Sequence, residues 1–138
     1  MKTLSILAAI GSTAILLGDV TKSDSTKIQG SWRVVESHFD GKPDPDTMNA
    51  RFTFAGDKLT ITLINGDKKE EKPPVVFKLD PLKSPKWFDF GPDLGVYSLE
   101  GDMLTICFGD TRVEGRTLKF ESVPKTSANL FKLKREKP

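Results

Sequence analysis

The stretch Ile28–Ser37 reads IQGSWRVVES and carries the clearest structural signal in this chain. It places Gly30 two residues before Trp32, at the start of a run rich in strand-forming residues. Gly30 lets the chain approach its neighbours closely as it enters a sheet. Trp32 supplies a large apolar side chain for the end of a barrel, and its indole N–H needs an acceptor there. We therefore assign Gly30 and Trp32 a structural role as the signature of a barrel that begins here.

The composition is that of one globular domain. The chain has 138 residues, of which 37% are hydrophobic and 29% charged, and this length can bury a core without metals or disulfides. The formal net charge is only +2, which argues against a nucleic-acid partner. Cys107 is the single cysteine and His38 the single histidine, so an intrachain disulfide is excluded and a zinc site lacks its usual ligands. We expect neither a metal nor a cofactor.

Beyond Ser23 the apolar residues recur at every second position, which is the period of half-buried strands. The pattern predicts about nine short strands. Their apolar members are Trp32/Val34, Phe52/Phe54, Leu59/Ile61/Leu63, Val75/Phe77/Leu79, Phe88/Phe90, Tyr97/Leu99, Leu104/Ile106/Phe108, Leu118/Phe120 and Phe131/Leu133.

Turn signals separate these predicted strands. Gly56-Asp57 and Gly101-Asp102 stand in two similar segments, 54–62 and 99–107, and each is typical of a hairpin turn. A duplication and two independent solutions to the same turn both account for this likeness. The segment Asp44–Asn49 alone is typical of a helical turn, with Asp44 or Asp46 as its cap.

The first 20 residues have a different character. Lys2 precedes an apolar run from Leu4 to Leu17, which is shorter than the roughly 20 residues that span a bilayer. This pattern predicts a secretory signal peptide over residues 1–20, with the mature chain starting between Ala14 and Ser23. An uncleaved anchor is the alternative. We expect a protein outside the cytoplasm, periplasmic or secreted, with no integral membrane span in its mature form.

Four segments carry a resemblance to a known family over Lys27 to Arg135. They are Ile28–Trp32 (IQGSW), Phe52–Lys58 (FTFAGDK), Leu79–Asp89 (LDPLKSPKWFD) and Gly95–Cys107 (GVYSLEGDMLTIC). Together they resemble an uncharacterised lipocalin-like domain family that is expanded in planctomycete bacteria. The chain departs from that family at Arg116-Thr117, where members tend to have an Arg-Pro pair.

The resemblance implies an all-β fold, an antiparallel lipocalin-like (calycin-type) β-barrel of about eight to nine strands over residues 27–135. It also implies export and carries no assigned activity or catalytic residue. Trp32–Ser37 is similar to the first strand of intracellular fatty-acid-binding proteins as well. Those proteins hold a ligand carboxylate with a late Arg-x-Tyr pair, which Leu133–Lys137 lacks.

Candidate catalytic groups do not form a recognisable motif, and we expect no enzyme. His38 has no nucleophile motif beside it, and Cys107 alternates with Ile106 and Phe108, which puts it on the outer wall as a packing residue. Two groups of acidic residues resemble a calcium loop and a general acid–base pair, respectively, but both sequence patterns favour structural turns. They are Asp40, Asp44 and Asp46, and Asp80, Asp89 and Asp93.

Two functions fit the predicted barrel. In the first, its open end binds a small apolar molecule, because barrels of about eight strands can hold one small ligand. The candidate ligand-binding residues are Phe54, Phe77, Phe88, Phe90, Tyr97 and Phe108. Tyr97 is the orienting polar group, and Arg51 or Arg112 is a candidate partner for an acidic head group.

In the second, the barrel is filled and serves as a protein-interaction or structural module of the cell envelope. Its partner would then be an envelope protein, and we expect a monomer. In lipocalins a late basic side chain often packs over the first-strand Trp, so the resemblance implies that Lys132, Lys134 or Arg135 packs over Trp32 by a cation–π contact.

Overall fold

A computed structural model describes residues 23–109 and 115–137 of the chain. The predicted signal peptide and its cleavage point lie outside the described residues, as does Arg112. In the described part, no helix has the length and apolar character needed to cross a membrane.

The regular elements of the described chain are strands, apart from one short helix, α1 (Asp24–Lys27), and a 3-10 turn at Pro45–Thr47. The strands are β1 (Gly30–Phe39), β2 (Lys42–Pro43), β3 (Arg51–Ala55), β4 (Lys58–Asn65), β5 (Lys68–Glu71), β6 (Val75–Asp80), β7 (Lys86–Phe90), β8 (Asp93–Glu100), β9 (Met103–Gly109) and β10 (Asn129–Arg135).

Eight of these strands close into an antiparallel barrel. The order around it is β1-β3-β4-β6-β7-β8-β9-β10, and β10 pairs again with β1 to complete the ring. β2 and β5 lie outside it as short partners of β1 and β4. The sequence-based prediction of an all-β antiparallel barrel is therefore confirmed.

The two ends of the barrel differ in what covers them. One end, here called the closed end, carries the β3–β4 and β8–β9 turns, the segment 81–85 and α1. Gly56 and Gly101 have φ values of 63° and 60° in those two turns, so both predicted hairpins are present and each uses glycine where positive φ is needed. The other end, the open end, carries the β7–β8 turn and the long connection that follows β1, and it is where β9 ends and β10 begins.

In the eight barrel strands, the alternation correctly predicts which side chains face inward. The interior contains aromatic and branched aliphatic residues from all eight barrel strands, and Ile28 closes it at the α1 end. Its fully buried members include Trp32, Phe52, Phe54, Leu59, Phe88, Tyr97, Leu104, Ile106 and Leu133. The helical turn is also confirmed, since the Asp44 side chain caps it by accepting from the backbone N–H of Asp46.

The predicted strand at Leu118/Phe120 is wrong. Residues 115–128 contain no strand, because β9 and β10 pair directly and leave no ladder position for another strand between them. Leu118 is 54% exposed and Phe120 38% exposed on this segment. β2 and β5 are absent from the prediction, since every residue of both is exposed and shows no apolar alternation.

Candidate functional site

The closed end is sealed around Trp32. Its side chain is fully buried, and the indole N–H donates to the carbonyl of Ile28 at 2.8 Å. The guanidinium of Arg135 stacks on the Trp32 ring, 4.2 Å from its centroid, and donates to the carbonyls of Lys27 and Gln29. The predicted cation–π contact is confirmed with Arg135 as the cation. Lys132 and Lys134 point to solvent.

A polar triad fastens α1 to the barrel at the same end. The carboxylate of Asp24 accepts from the hydroxyl of Tyr97 at 2.6 Å and from the ammonium of Lys86 at 2.9 Å. Burial alone would raise the pKa of Asp24, but these hydrogen bonds and the charge of Lys86 lower that pKa overall. Burial and the bond to Asp24 raise the pKa of Tyr97, so its hydroxyl stays protonated.

This triad separates Tyr97 from the other candidate ligand residues. Tyr97 pairs with Lys86 at the start of β7, so its hydroxyl lies at the closed end and is committed to Asp24. The expected orienting role at the open end therefore does not match its position. The register of β7 against β8 determines this placement, and the alternation pattern does not predict that register.

The five candidate phenylalanines do come together. Phe54 contacts Phe77 with ring centroids 5.0 Å apart, and Phe88 and Phe90 each contact Phe108, at 5.9 and 5.3 Å. Phe77 and Phe88 link the two groups at 6.5 Å. Phe131 and Phe52 extend the cluster. The alternation predicts an inward position for both, and only the three-dimensional register joins them to the candidate set.

Exposure distinguishes the members of this cluster. Phe54, Phe77, Phe88 and Phe108 are buried, whereas Phe90, the last residue of β7, is half-buried. Ile61 and Leu63, on the half of β4 that leads to the open end, are also half-buried and pack against the core. These three residues, Ile61, Leu63 and Phe90, are here called the apolar mouth. Each packs against the core while part of its side chain stays exposed.

Arg51 does not face the apolar mouth. It alternates with the inward-facing Phe52 and lies on the outer wall, where its Nε donates to the Glu136 carboxylate at 2.6 Å. This pairing raises the pKa of Arg51. Its role as a partner for a ligand head group at the open end is thus not supported by its position.

Cys107 lies on the outer wall, as expected, and is fully buried beneath residues 115–128. It packs with Val96, Ala128 and Leu130 in a second cluster, and its thiol approaches the carbonyl of Glu121 at 3.5 Å. Burial raises the pKa of the Cys107 thiol to about 11. A thiol in this state is a poor nucleophile near neutral pH.

The remaining candidates have structural partners. The His38 ring contacts the Glu36 carboxylate at 3.0 Å. Asp80 accepts from the backbone N–H of Leu82, as a turn residue does, and Asp89 pairs with Arg116 at 2.9 Å. Within residues 23–109 and 115–137, His, Cys, Asp and Glu side chains form no group of three or more that could hold a metal ion.

Comparisons with models of protein families, with curated proteins and with solved structures find no match to this chain.

Proposed function

We propose that this protein is an exported lipocalin-like barrel that binds a small apolar molecule at its open end and performs no catalysis. The observation that carries the proposal is the apolar mouth, where Ile61, Leu63 and Phe90 remain half-buried at the rim of a closed barrel. The family likeness described for residues 27–135 and the apolar N-terminal run support the lipocalin-like and exported parts of the proposal.

The ring cluster sets the depth at which a ligand sits. Phe54, Phe77, Phe88 and Phe108 are buried and already fill the interior, so a ligand rests on the half-buried Phe90 at the rim. Covering about 100 Å² of apolar protein surface contributes about 2.5 kcal/mol before the costs of association. The ligand is accordingly small and bound reversibly, such as a short fatty acid or an isoprenoid.

A fluorophore that brightens in apolar surroundings tests this function, with a fatty acid and an isoprenoid alcohol as competitors. Phe90→Ala should weaken binding by about tenfold, because about 1.4 kcal/mol of aromatic contact is lost. Val76→Ala is the matched control, since Val76 is 41% exposed and alternates with the inward-facing Phe77. Equal affinities for the two variants, with both folded by circular dichroism, would contradict the proposal.

A second function has one specific observation in its favour. Leu118, Phe120 and Val123 are 54%, 38% and 41% exposed on the segment 115–128, beside an apolar groove of about 280 Å³. Such a patch fits a protein-interaction module of the envelope. Native mass spectrometry of the protein from its own cells separates the two functions, because it shows either a small co-purifying ligand or a bound protein.

A further inference from the structure

Three cations stand side by side on the outer wall of the barrel. In the ladders of the antiparallel sheet, Arg33 of β1 lies directly opposite Arg51 of β3 on one side and Lys134 of β10 on the other. All three alternate with inward-facing residues, so their side chains leave the same face of the sheet. Arg51, Arg33 and Lys134 are here called the cationic row.

This arrangement is unfavourable for the protein alone. Directly opposed side chains in antiparallel strands have Cβ atoms about 4.5–5.5 Å apart, and like charges at that spacing destabilise the sheet. Glu136 offsets part of the repulsion by binding Arg51 through two hydrogen bonds, at 2.6 and 3.4 Å. Across the described residues, no carboxylate lies within ion-pair distance of Arg33 or Lys134. The row therefore keeps two exposed cations whose charge is not locally compensated.

The surface beside the row is concave and rich in donors. A crevice of about 330 Å³ is lined by Arg33, Lys134, Arg135, Glu136 and Lys137. A second crevice of about 570 Å³ adjoins it through Arg135, Glu136 and Lys137, and also reaches Arg51 and Ser31. The hydroxyls of Ser31 and Thr53 lie 3.3 Å apart in the next row of the sheet. Either crevice is larger than one phosphate group.

We propose that the cationic row binds a phosphate group, either a free phosphate or the phosphate of a lipid headgroup. Arginine presents a planar fork of N–H donors that matches a tetrahedral oxyanion, and lysine adds a point charge. The anion sits between Arg33 and Lys134, in the crevice that both residues line, where it removes the repulsion along the row. This site lies on the outer wall and is separate from the apolar mouth, so the two proposals can fail independently.

The test uses the protein as its own cells process it, in buffer of low ionic strength. Binding of inorganic phosphate is followed by the NMR shifts of the arginine side chains. Binding of the lipid phosphate is followed by cosedimentation with vesicles of phosphatidylglycerol, with vesicles of phosphatidylcholine as the comparison. Arg33→Gln and Lys134→Gln each remove one charge from the row. Lys69→Gln removes one charge from β5, whose residues are all exposed and outside the row.

We expect saturable binding of at least one of the two anions, weakened by about tenfold in Arg33→Gln and in Lys134→Gln and unchanged in Lys69→Gln. If phosphate shifts the arginine NMR signals and the protein does not bind vesicles, the ligand is a free phosphate. Selective cosedimentation with phosphatidylglycerol identifies the ligand as a lipid headgroup. Binding of neither anion overturns the proposal. So does an equal loss in all three variants, because that result reports net charge alone. Unchanged thermal unfolding of the variants shows that the row, and not the fold, was altered.

Discussion

Arg135 and Trp32 are paired through both backbone and side chain. They lie opposite each other in the β1–β10 ladder, and the guanidinium of Arg135 stacks 4.2 Å from the centre of the Trp32 ring. The pair stands at the seam where the first and last strands of the barrel meet. Because Arg135 also holds the carbonyls of Lys27 and Gln29, the seam and the cover of the closed end are stabilised by the same side chain.

Truncation of Trp32 should be costly. Trp32→Ala removes a fully buried ring and its bond to Ile28, and we expect the free energy of unfolding to fall by about 3–5 kcal/mol. Urea denaturation followed by circular dichroism measures the loss. Trp87→Ala serves as the control, since Trp87 is half-buried on the outer wall and should cost less. An unchanged midpoint for Trp32→Ala would refute the sealing role.

Arg135→Lys should destabilise the barrel although it conserves charge. Lysine cannot stack its charge flat on Trp32 while donating to the two carbonyls, so we expect a loss of about 1–2 kcal/mol. Arg33→Lys, an equivalent change at an exposed position of the same sheet, should change stability by less than about 0.5 kcal/mol. Denaturation curves for the two variants that coincide would argue against the double role of Arg135.

Gly95→Ala should disrupt the contact of β8 with β9. A Cβ at position 95 would overlap the carbonyl oxygen of Cys107 and lie 2.7 Å from the Cα of Phe108, so backbone must move. We expect a loss of about 3 kcal/mol or more. Gly66→Ala is the comparison, because its Cβ meets no atom within 4 Å and only its positive φ adds a cost, of about 1 kcal/mol. Similar losses in thermal unfolding would contradict this ranking.

Asp24→Asn should make the free energy of unfolding depend less on pH in acid. The folded state lowers the pKa of Asp24 below its ordinary value of 3.8, so the carboxylate contributes stability above that pH and loses it as the pH falls through the lowered pKa. The free energy difference between the parent and Asp24→Asn should therefore be largest near neutral pH and shrink in acid. A difference that stays constant between about pH 6 and pH 2 would contradict the triad's role.

Cys107→Ala should act at the other end of the pH scale. The thiol pKa rises from 9.0 in its ordinary state to about 11 in the folded protein, so the unfolded chain loses its proton first. Stability from this group is present below pH 9.0 and falls as the pH rises towards about 11. Between pH 9.0 and about pH 11, the free energy of unfolding should fall more steeply with pH in the parent than in Cys107→Ala. Parallel curves would show that the thiol is not shielded.

The alternation of apolar residues predicts the interior of this barrel well, because a side chain in a strand faces one wall or the other whatever its partner. The alternation gives no information on the stagger between neighbouring strands. For that reason the inward position of Tyr97 was predictable, whereas its bond to Asp24 at the closed end was not. The cationic row likewise needs the register of three strands. Leu118 and Phe120 show a different error. Their alternation predicts a strand, but β9 and β10 pair directly and leave no edge on which that strand could form.

The meeting of Gly30 and Arg135 at one end of the barrel has a geometric consequence for how the molecule can be attached to anything larger. Both the chain entering at Ser23 and the chain leaving after Arg135 pass this end, and Arg135 holds the two together through Lys27 and Gln29. A partner fused directly to Ser23 or to Lys137 therefore lies on the side opposite the apolar mouth. A barrel held from that side keeps its rim exposed.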